Sequence, residues 1–303
     1  MQRFRTICSK LIPIMTVAVF LSWCFGQLTR DSSWLCGVMF YIPSPVLLVW
    51  LAGVAWWTRR RQSRLWLAFA LMALPPLYFV AMVENHFDSR VRSSSVTPVR
   101  LIHWNIGWSK MGWDRQKTLI RTFDADIIVI SEASEGIGAA DFPGYHVERT
   151  KDMLIASRGP VRVGKSLVPG GALDALPAEC DLTTGTVKLI IADMTSNIRI
   201  WRDPYLRPFL KVIEELQPDV IVGDFNAPRR SLAFSELPEG YQHAYDSCGG
   251  GVSYTWPVPV PFLAIDQCIH GPRVDAIRYE LQSTMLSDHR LQLLEFIPPR
   301  IGE

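Results

Sequence analysis

Three stretches near the N-terminus, 11–29, 32–58 and 65–83, contain no charged residue. Each has about the roughly 20 residues needed to cross the hydrocarbon core of a bilayer. Their apolar positions run around the whole helix, leaving almost no polar face for a soluble domain. Beyond residue 98 the pattern changes. Short apolar or β-branched runs recur at 99–104, 126–131, 187–193, 219–222, 264–270 and 291–296, with helical patterns at 114–123 and 204–216. Strands alternating with helices, several of the strands almost wholly apolar, predict an α/β domain with buried sheets. Ser93-Ser94-Ser95-Val96-Thr97-Pro98 reads as linker. The expected organisation is a membrane anchor of three transmembrane helices over 1–83, a linker over 84–98 and a globular domain over 99–303.

Charge sharpens this division. Residues 1–83 hold eight Lys and Arg against one acid, Asp31, a net +7; the remainder carries −5 and the whole chain +2. Arg3, Arg5 and Lys10 precede the first stretch, and Arg59, Arg60, Arg61 and Arg64 lie between the second and third. Only Arg30, beside Asp31, separates the first two. The positive-inside rule therefore places the N-terminus and second loop in the cytoplasm. Three crossings put the domain outside it, in the periplasm at the cell (inner) membrane. The Pro43/Pro45 and Pro75/Pro76 pairs are where a crossing would fail, turning the domain inward. No small-residue cleavage site follows the first stretch, which argues against a removed signal peptide. The spans carry no internal charge, so a transport path is not expected. Of six cysteines, Cys180, Cys248 and Cys268 fall in the domain, enough for one bridge. No CxxC spacing suggests a thiolate zinc site.

Polar residues stand where the apolar runs end. Asn105 follows Trp104, Glu132 follows Ser131, and Val222 leads into Gly223-Asp224-Phe225-Asn226. Asp266 follows Ile265, and Ser287-Asp288-His289 precedes the last run. Rigid strands delivering polar side chains into loops are how sheet folds build sites. Taken singly, each has an ordinary structural explanation as a turn or cap. Asp266 is the exception, because a carboxylate in an apolar run needs a partner. His103 is expected to face away from the site, and His86, His146, His243 and His270 to serve surface or core roles.

The joint order Trp104-Asn105, Glu132, Gly223-Asp224-Phe225-Asn226, Ile265-Asp266 and Ser287-Asp288-His289 resembles the endonuclease/exonuclease/phosphatase (DNase I-like) superfamily. Thr255-Trp256-Pro257 is similar to its membrane-attached members. The resemblance covers nearly all of 97–303 and implies a four-layer α/β sandwich, two mixed β-sheets flanked by helices, with the site at one sheet edge. It implies a metal-dependent hydrolase acting on phosphate esters. Glu132 would be the main ligand for Mg²⁺ or Mn²⁺, with Asn105 adjacent and Asp288 assisting. Asp224 would orient or deprotonate the attacking water, and Asn226 would hold it or a phosphoryl oxygen. Asp266 would fix His289, which would donate to the phosphoryl group. Asp193 and Arg229 are candidate substrate contacts.

Two positions depart from the superfamily. Asp193 stands where many relatives place a histidine, and a carboxylate cannot donate a hydrogen bond to phosphate unless protonated. Gly107 stands where several nucleases carry an acid. The substrate is expected to be a lipid head group, a small phosphodiester or nucleic acid. The −5 domain lacks a long basic stripe, which disfavours a general nuclease. The alternatives are a nuclease acting on extracytoplasmic DNA or RNA, and a non-catalytic membrane protein keeping the fold. The bilayer is the expected partner, with no obligate protein partner.

Overall fold

A computed structural model describes residues 2–88, 90–168 and 171–299, with side chains from residue 11 onward. The side chains of Arg3, Arg5, Cys8 and Lys10 lie outside the described residues. The chain divides into two compact units, Met1–Asn85 and His86–Glu303.

The first unit is helical: α1 (Gln2–Thr29), α2 (Trp34–Phe40), α3 (Ser44–Arg60), α4 (Leu65–Met72) and α5 (Leu74–Tyr78), continued by a π-helical turn at Phe79–Val83. Leu11–Thr29 and Leu65–Val83 are long and apolar enough to cross a membrane. The middle stretch differs from the expected single span, because α2 and α3 meet at 59°. The break falls at residues 41–43, where Pro43 lacks an N–H and biases Ile42 away from the helical region. Trp23, Leu47, Leu51 and Phe69 pack inside this unit.

In the second unit, β1 (Val99–Asn105), α6 (Trp113–Thr122), β2 (Ile127–Ser131), β3 (His146–Thr150), β4 (Met153–Ser157), β5 (Val161–Val163), β6 (Leu173–Leu182) and β7 (Gly185–Met194) come first. Then follow α7 (Asp203–Leu216), β8 (Val220–Asp224), β9 (Gln242–His243), α8 (Ala244–Cys248), β10 (Asp266–His270), β11 (Asp275–Gln282) and β12 (Leu291–Ile297). They form two six-stranded sheets, β11-β12-β1-β2-β4-β3 and β5-β6-β7-β8-β10-β9. Both sheets are mixed, with one parallel pair each, β1 with β2 and β7 with β8. Helices α6 and α7 make the crossovers those parallel pairs require.

Strand alternation sorts the side chains into layers. Val99, Leu101, Ile127 and Val129 from one sheet meet Val187, Leu189, Ile191, Val220 and Val222 from the other, forming the core between sheets. The odd-out neighbours Ile102, Trp104, Ile128 and Ile130 pack on the α6 side. Ile190, Ala192 and Ile221 pack on α7 through Leu206, Phe209 and Ile213. Two mixed sheets flanked by helices are thus an α/β sandwich.

The segment entering this unit is not a free tether. Arg92 N–H donates to the Ile277 carbonyl at 2.9 Å, and Gly251 N–H to the His86 carbonyl at 2.6 Å. Cys180, Cys248 and Cys268 are buried thiols, and no disulfide forms among the described residues.

Candidate active site

The inter-sheet face of each strand turns polar at one end. Asn105 continues the inward row of Val99 and Leu101; Asp224 continues Val220 and Val222, Asp193 continues Leu189 and Ile191, and Asp266 precedes Cys268. One end of the apolar core is therefore capped by side chains that both sheets contribute. Asn105 Nδ2 donates to Asp224 Oδ2 at 3.0 Å, joining β1 of one sheet to β8 of the other.

Asp224 is 1% exposed. Its Oδ1 accepts the Asn226 backbone N–H at 2.9 Å. His289 Nδ1 donates to Asp266 Oδ2 at 2.9 Å and lies 3.2 Å from Oδ1. Its Nε2 stands 3.8 Å from Asp224 Oδ2, too far for a direct hydrogen bond but within reach of one bridging oxygen. Asp224, Asp266 and His289 bring one ligand atom each within 4.8 Å of one another.

Electrostatics divides the roles. Burial would lower the His289 imidazole, but the Asp266 carboxylate bound to it, with Asp224 and Asp288, outweighs this and lifts it to about 10. Burial pushes Asp266 upward, yet the His289 charge and hydrogen bond hold it below its ordinary value. Asp224 lacks such a contact; burial and the Asp266 charge raise it to about 7. The cluster therefore holds an ionised Asp266, an imidazolium and a carboxyl group poised near neutrality.

Supporting contacts fix these groups. Ser287 Oγ donates to the Asn105 carbonyl at 2.7 Å and accepts the His289 N–H at 3.1 Å. Trp104 Nε1 donates to the His289 carbonyl at 3.0 Å. Thr255 Oγ1 accepts the N–H groups of Ile265 and Asp266. Gln267 Nε2 ties the Ala227 and Ala264 carbonyls together. Thr255 belongs to the Thr255-Trp256-Pro257 motif noted in the sequence, although its role under Asp266 was not legible there, and nothing in the local pattern of Gln267 distinguishes it.

Glu132 follows β2 with φ +51, in the left-handed region that non-glycine residues rarely enter. The Trp108 N–H donates to its carbonyl at 2.8 Å, binding the loop after β1 to the loop after β2. The Asn105–Ser131 register sets Glu132 one residue beyond Asn105. Its carboxylate accepts no hydrogen bond among the described residues. Asp288 is exposed and accepts from Trp256 Nε1 at 3.1 Å. Asn226, at φ +45, donates from Nδ2 to the Met194 carbonyl at 2.7 Å.

Asp193 pairs with Asp224 in the β7–β8 register. Burial, then the charges of Asp224, Asp152, Glu132 and Asp266, raise its carboxyl well above the ordinary range. Gly107 has its own reason: φ is +58, and a Cβ would sit 3.4 Å from Asp288 Oδ1. An acidic side chain there would stand beside the Asp288 carboxylate, a like-charge contact.

Two expectations need correction. Arg229 does not join the cluster; its Nε meets Asp246 Oδ1 at 3.3 Å and its guanidinium stacks 4.3 Å from the Tyr245 ring. His103 does not face away: it lies two residues before Asn105 on the same inter-sheet row. It is fully buried between Ser131 Oγ at 3.0 Å and Gln292 Nε2 at 2.7 Å, and burial lowers it to about 4. It is a neutral core histidine behind the site.

Fold and site define a two-sheet phosphoesterase architecture. The sequence profile of the Endonuclease/Exonuclease/phosphatase family matches residues 102–289, and the chain belongs to that family of phosphate-ester hydrolases. Among solved structures it is similar to humanized D. rerio TDP2, with 17% identity and TM-score 0.52, covering 66% of this chain and 99% of that one. A Bacteroides thetaiotaomicron mannosyl-6-phosphatase matches with 15% identity and TM-score 0.51, covering 66% and 99%. A 3' phosphatase from Neisseria bound to a product DNA hairpin matches with 16% identity and TM-score 0.50, covering 65% and 99%. These likenesses concern the fold. No curated protein sequence matches the chain.

Proposed function

We propose that the chain is a membrane-anchored, divalent-metal-dependent phosphoesterase whose catalytic residues are Asp224, Asn226, Asp266 and His289. The observation that carries this reading is the Asp266–His289 pair facing Asp224 across 3.8 Å. In this reading a water lies between them. Asp224, near neutrality, takes its proton as the oxygen attacks phosphorus and the leaving oxygen departs in line. His289, kept as imidazolium by Asp266, donates from Nε2 to a phosphoryl oxygen as charge builds there. Asn105 and the Asn226 N–H hold the Asp224 carboxyl in position. Asp193, kept protonated, offers an O–H to the phosphoryl group.

The Glu132, Asp152 and Asp266 carboxylates, with Asp224 once it is ionised, form a field hostile to an anionic phosphate unless a cation is bound. The Glu132 carboxylate, which accepts no hydrogen bond, and the Asn105 amide oxygen suit a hard cation such as Mg²⁺ or Mn²⁺, with Asp288 nearby. Such an ion would supply charge neutralisation at the phosphoryl and leaving oxygens. Hydrolysis of a chromogenic phosphodiester should cease in EDTA and return with Mg²⁺. Glu132→Gln should raise the Mg²⁺ concentration for half-maximal rate by about tenfold or more. An unchanged Mg²⁺ requirement in that variant would remove Glu132 from the ligand set.

The two or three helices long and apolar enough to cross a membrane support the anchoring. Arg59, Arg60 and Arg61 stack on Trp66, Trp56 and Trp57, a basic and aromatic cluster suited to a cytoplasmic membrane interface. Counting α2 and α3 as one broken span supports a reading with three crossings and a periplasmic catalytic domain.

A further inference from the structure

The loops at the site's edge carry exposed apolar side chains. Trp108 is 45% and Met111 52% exposed in the loop after Asn105; Ile198 is 73% exposed in the loop after Asp193. Val260 is 72% exposed in the loop before Asp266, and Met285 71% in the loop before His289. Every one of these loops joins a strand at the end that bears a site residue. Outside the entering segment 86–98, the remaining exposed large apolar residues of this unit, among those described, are Leu216 and Val252. The enrichment therefore belongs to the site's edge.

The rim is built rather than frayed. The Trp108 N–H is held by Glu132, and Ser134 Oγ donates to the Trp108 carbonyl at 2.7 Å. The 255–264 loop is closed by a Trp256–Leu263 bridge and by edge packing of Phe262 on Trp256, with Val260 between two prolines at its turn. Trp256 in turn binds Asp288. Lys110 and Arg199 stand exposed beside Met111 and Ile198, with neither side chain in an ion pair among the described residues. Apolar groups interleaved with unpaired cations match an anionic bilayer surface, where the former enter the acyl boundary and the latter meet phosphates.

We propose that this rim is a bilayer-docking face and that the substrate is a phosphate ester carried by a lipid head group. This deepens the phosphoesterase reading and rests on it. Apolar spans in the same chain keep the rim at a high effective concentration near lipid, so a few shallow insertions suffice. A polynucleotide would instead call for a continuous basic groove, and the rim alternates two cations with five apolar side chains.

The test uses the full chain in nanodiscs of phosphatidylethanolamine and phosphatidylglycerol. An environment-sensitive fluorophore is placed by Val260→Cys, and at the opposite strand ends by Glu239→Cys, with labelled wild type as blank. Nitroxide lipids should quench the Val260 position about threefold more than the Glu239 position. Equal quenching at the two positions would overturn docking. In parallel, Val260→Asp combined with Met285→Asp should lower hydrolysis of nanodisc phospholipid about tenfold while leaving a soluble chromogenic phosphodiester within about twofold. Equal loss on both substrates, or selective turnover of DNA by a rim that is not quenched, would overturn the lipid assignment and leave the phosphoesterase reading intact. Selective quenching at Val260 with no turnover of any ester would instead contradict the phosphoesterase reading, and with it the substrate assignment.

Discussion

Three buried groups in contact behave differently because their partners differ. Asp266 has the imidazolium N–H at 2.9 Å and stays charged; Asp224 has only neutral donors from Asn105 and the Asn226 backbone and rises to about 7. The activity should follow. The rate rises as Asp224 loses its proton near pH 7 and falls as His289 loses its own near pH 10; a bound cation shifts the first limb downward. The same shifts set stability, with opposite windows. His289 is raised, so its contribution is complete below pH 6.5 and is lost as pH climbs through about 10. Asp266 is lowered, so its contribution is present above its unfolded value and is lost as pH falls through its folded one. Asp266→Asn should abolish the alkaline limb near 10 and cut turnover by about 10²-fold or more. A pH–rate profile of that variant matching wild type would show that the pair does not govern His289. The histidine and both acids stood out in the sequence because Asp224 closes β8, Asp266 opens β10 and His289 just precedes β12. Arg229 meets Asp246 and Tyr245, contacts for which the sequence carries no local sign.

At the scale of elements, the site depends on strand parity. Asn105, Asp193, Asp224 and Asp266 reach one space because each occupies an inward position of its strand; a slip of one residue would send them to the helices. Gly223 guards that register. A Cβ there would lie 1.8 Å from the Ala192 carbonyl oxygen, so β7 and β8 approach more closely than any side chain permits. Gly223→Ala should destabilise by about 3 kcal/mol or more in chemical denaturation. Gly136→Ala, which meets nothing within 4 Å, should change stability by less than about 1 kcal/mol. Equal effects at the two positions would contradict the packing account. The six apolar runs at 99–104, 126–131, 187–193, 219–222, 264–270 and 291–296 all lie in or overlap strands, and the two helical patterns match α6 and α7. The strands β3, β6 and β11 escaped notice because their polar or proline-bearing sequences are half-buried at or near sheet edges. In the middle apolar stretch composition fixed the hydrophobicity, while the 59° bend falls at the Pro43/Pro45 pair that the sequence marked as its weak point.

At the scale of the whole molecule, a basic apolar unit and a mildly acidic catalytic-type domain share one chain. Neither sheet holds all of the candidate site residues. One supplies Asn105, Glu132 and His289, the latter just before β12; the other supplies Asp193, Asp224 and Asp266. Cleavage should therefore require the native pairing of sheets, and any activity should vanish together with that packing. The most direct test is hydrolysis by the purified full chain with Mg²⁺, using a chromogenic phosphodiester, a phosphomonoester, DNA, RNA and phospholipid, beside His289→Ala and Asp224→Ala. Turnover of at least one phosphate ester, reduced about 10²-fold or more in both variants, is the predicted result. A folded wild-type chain that binds Mg²⁺ yet cleaves none of them, or variants as active as wild type, would contradict it.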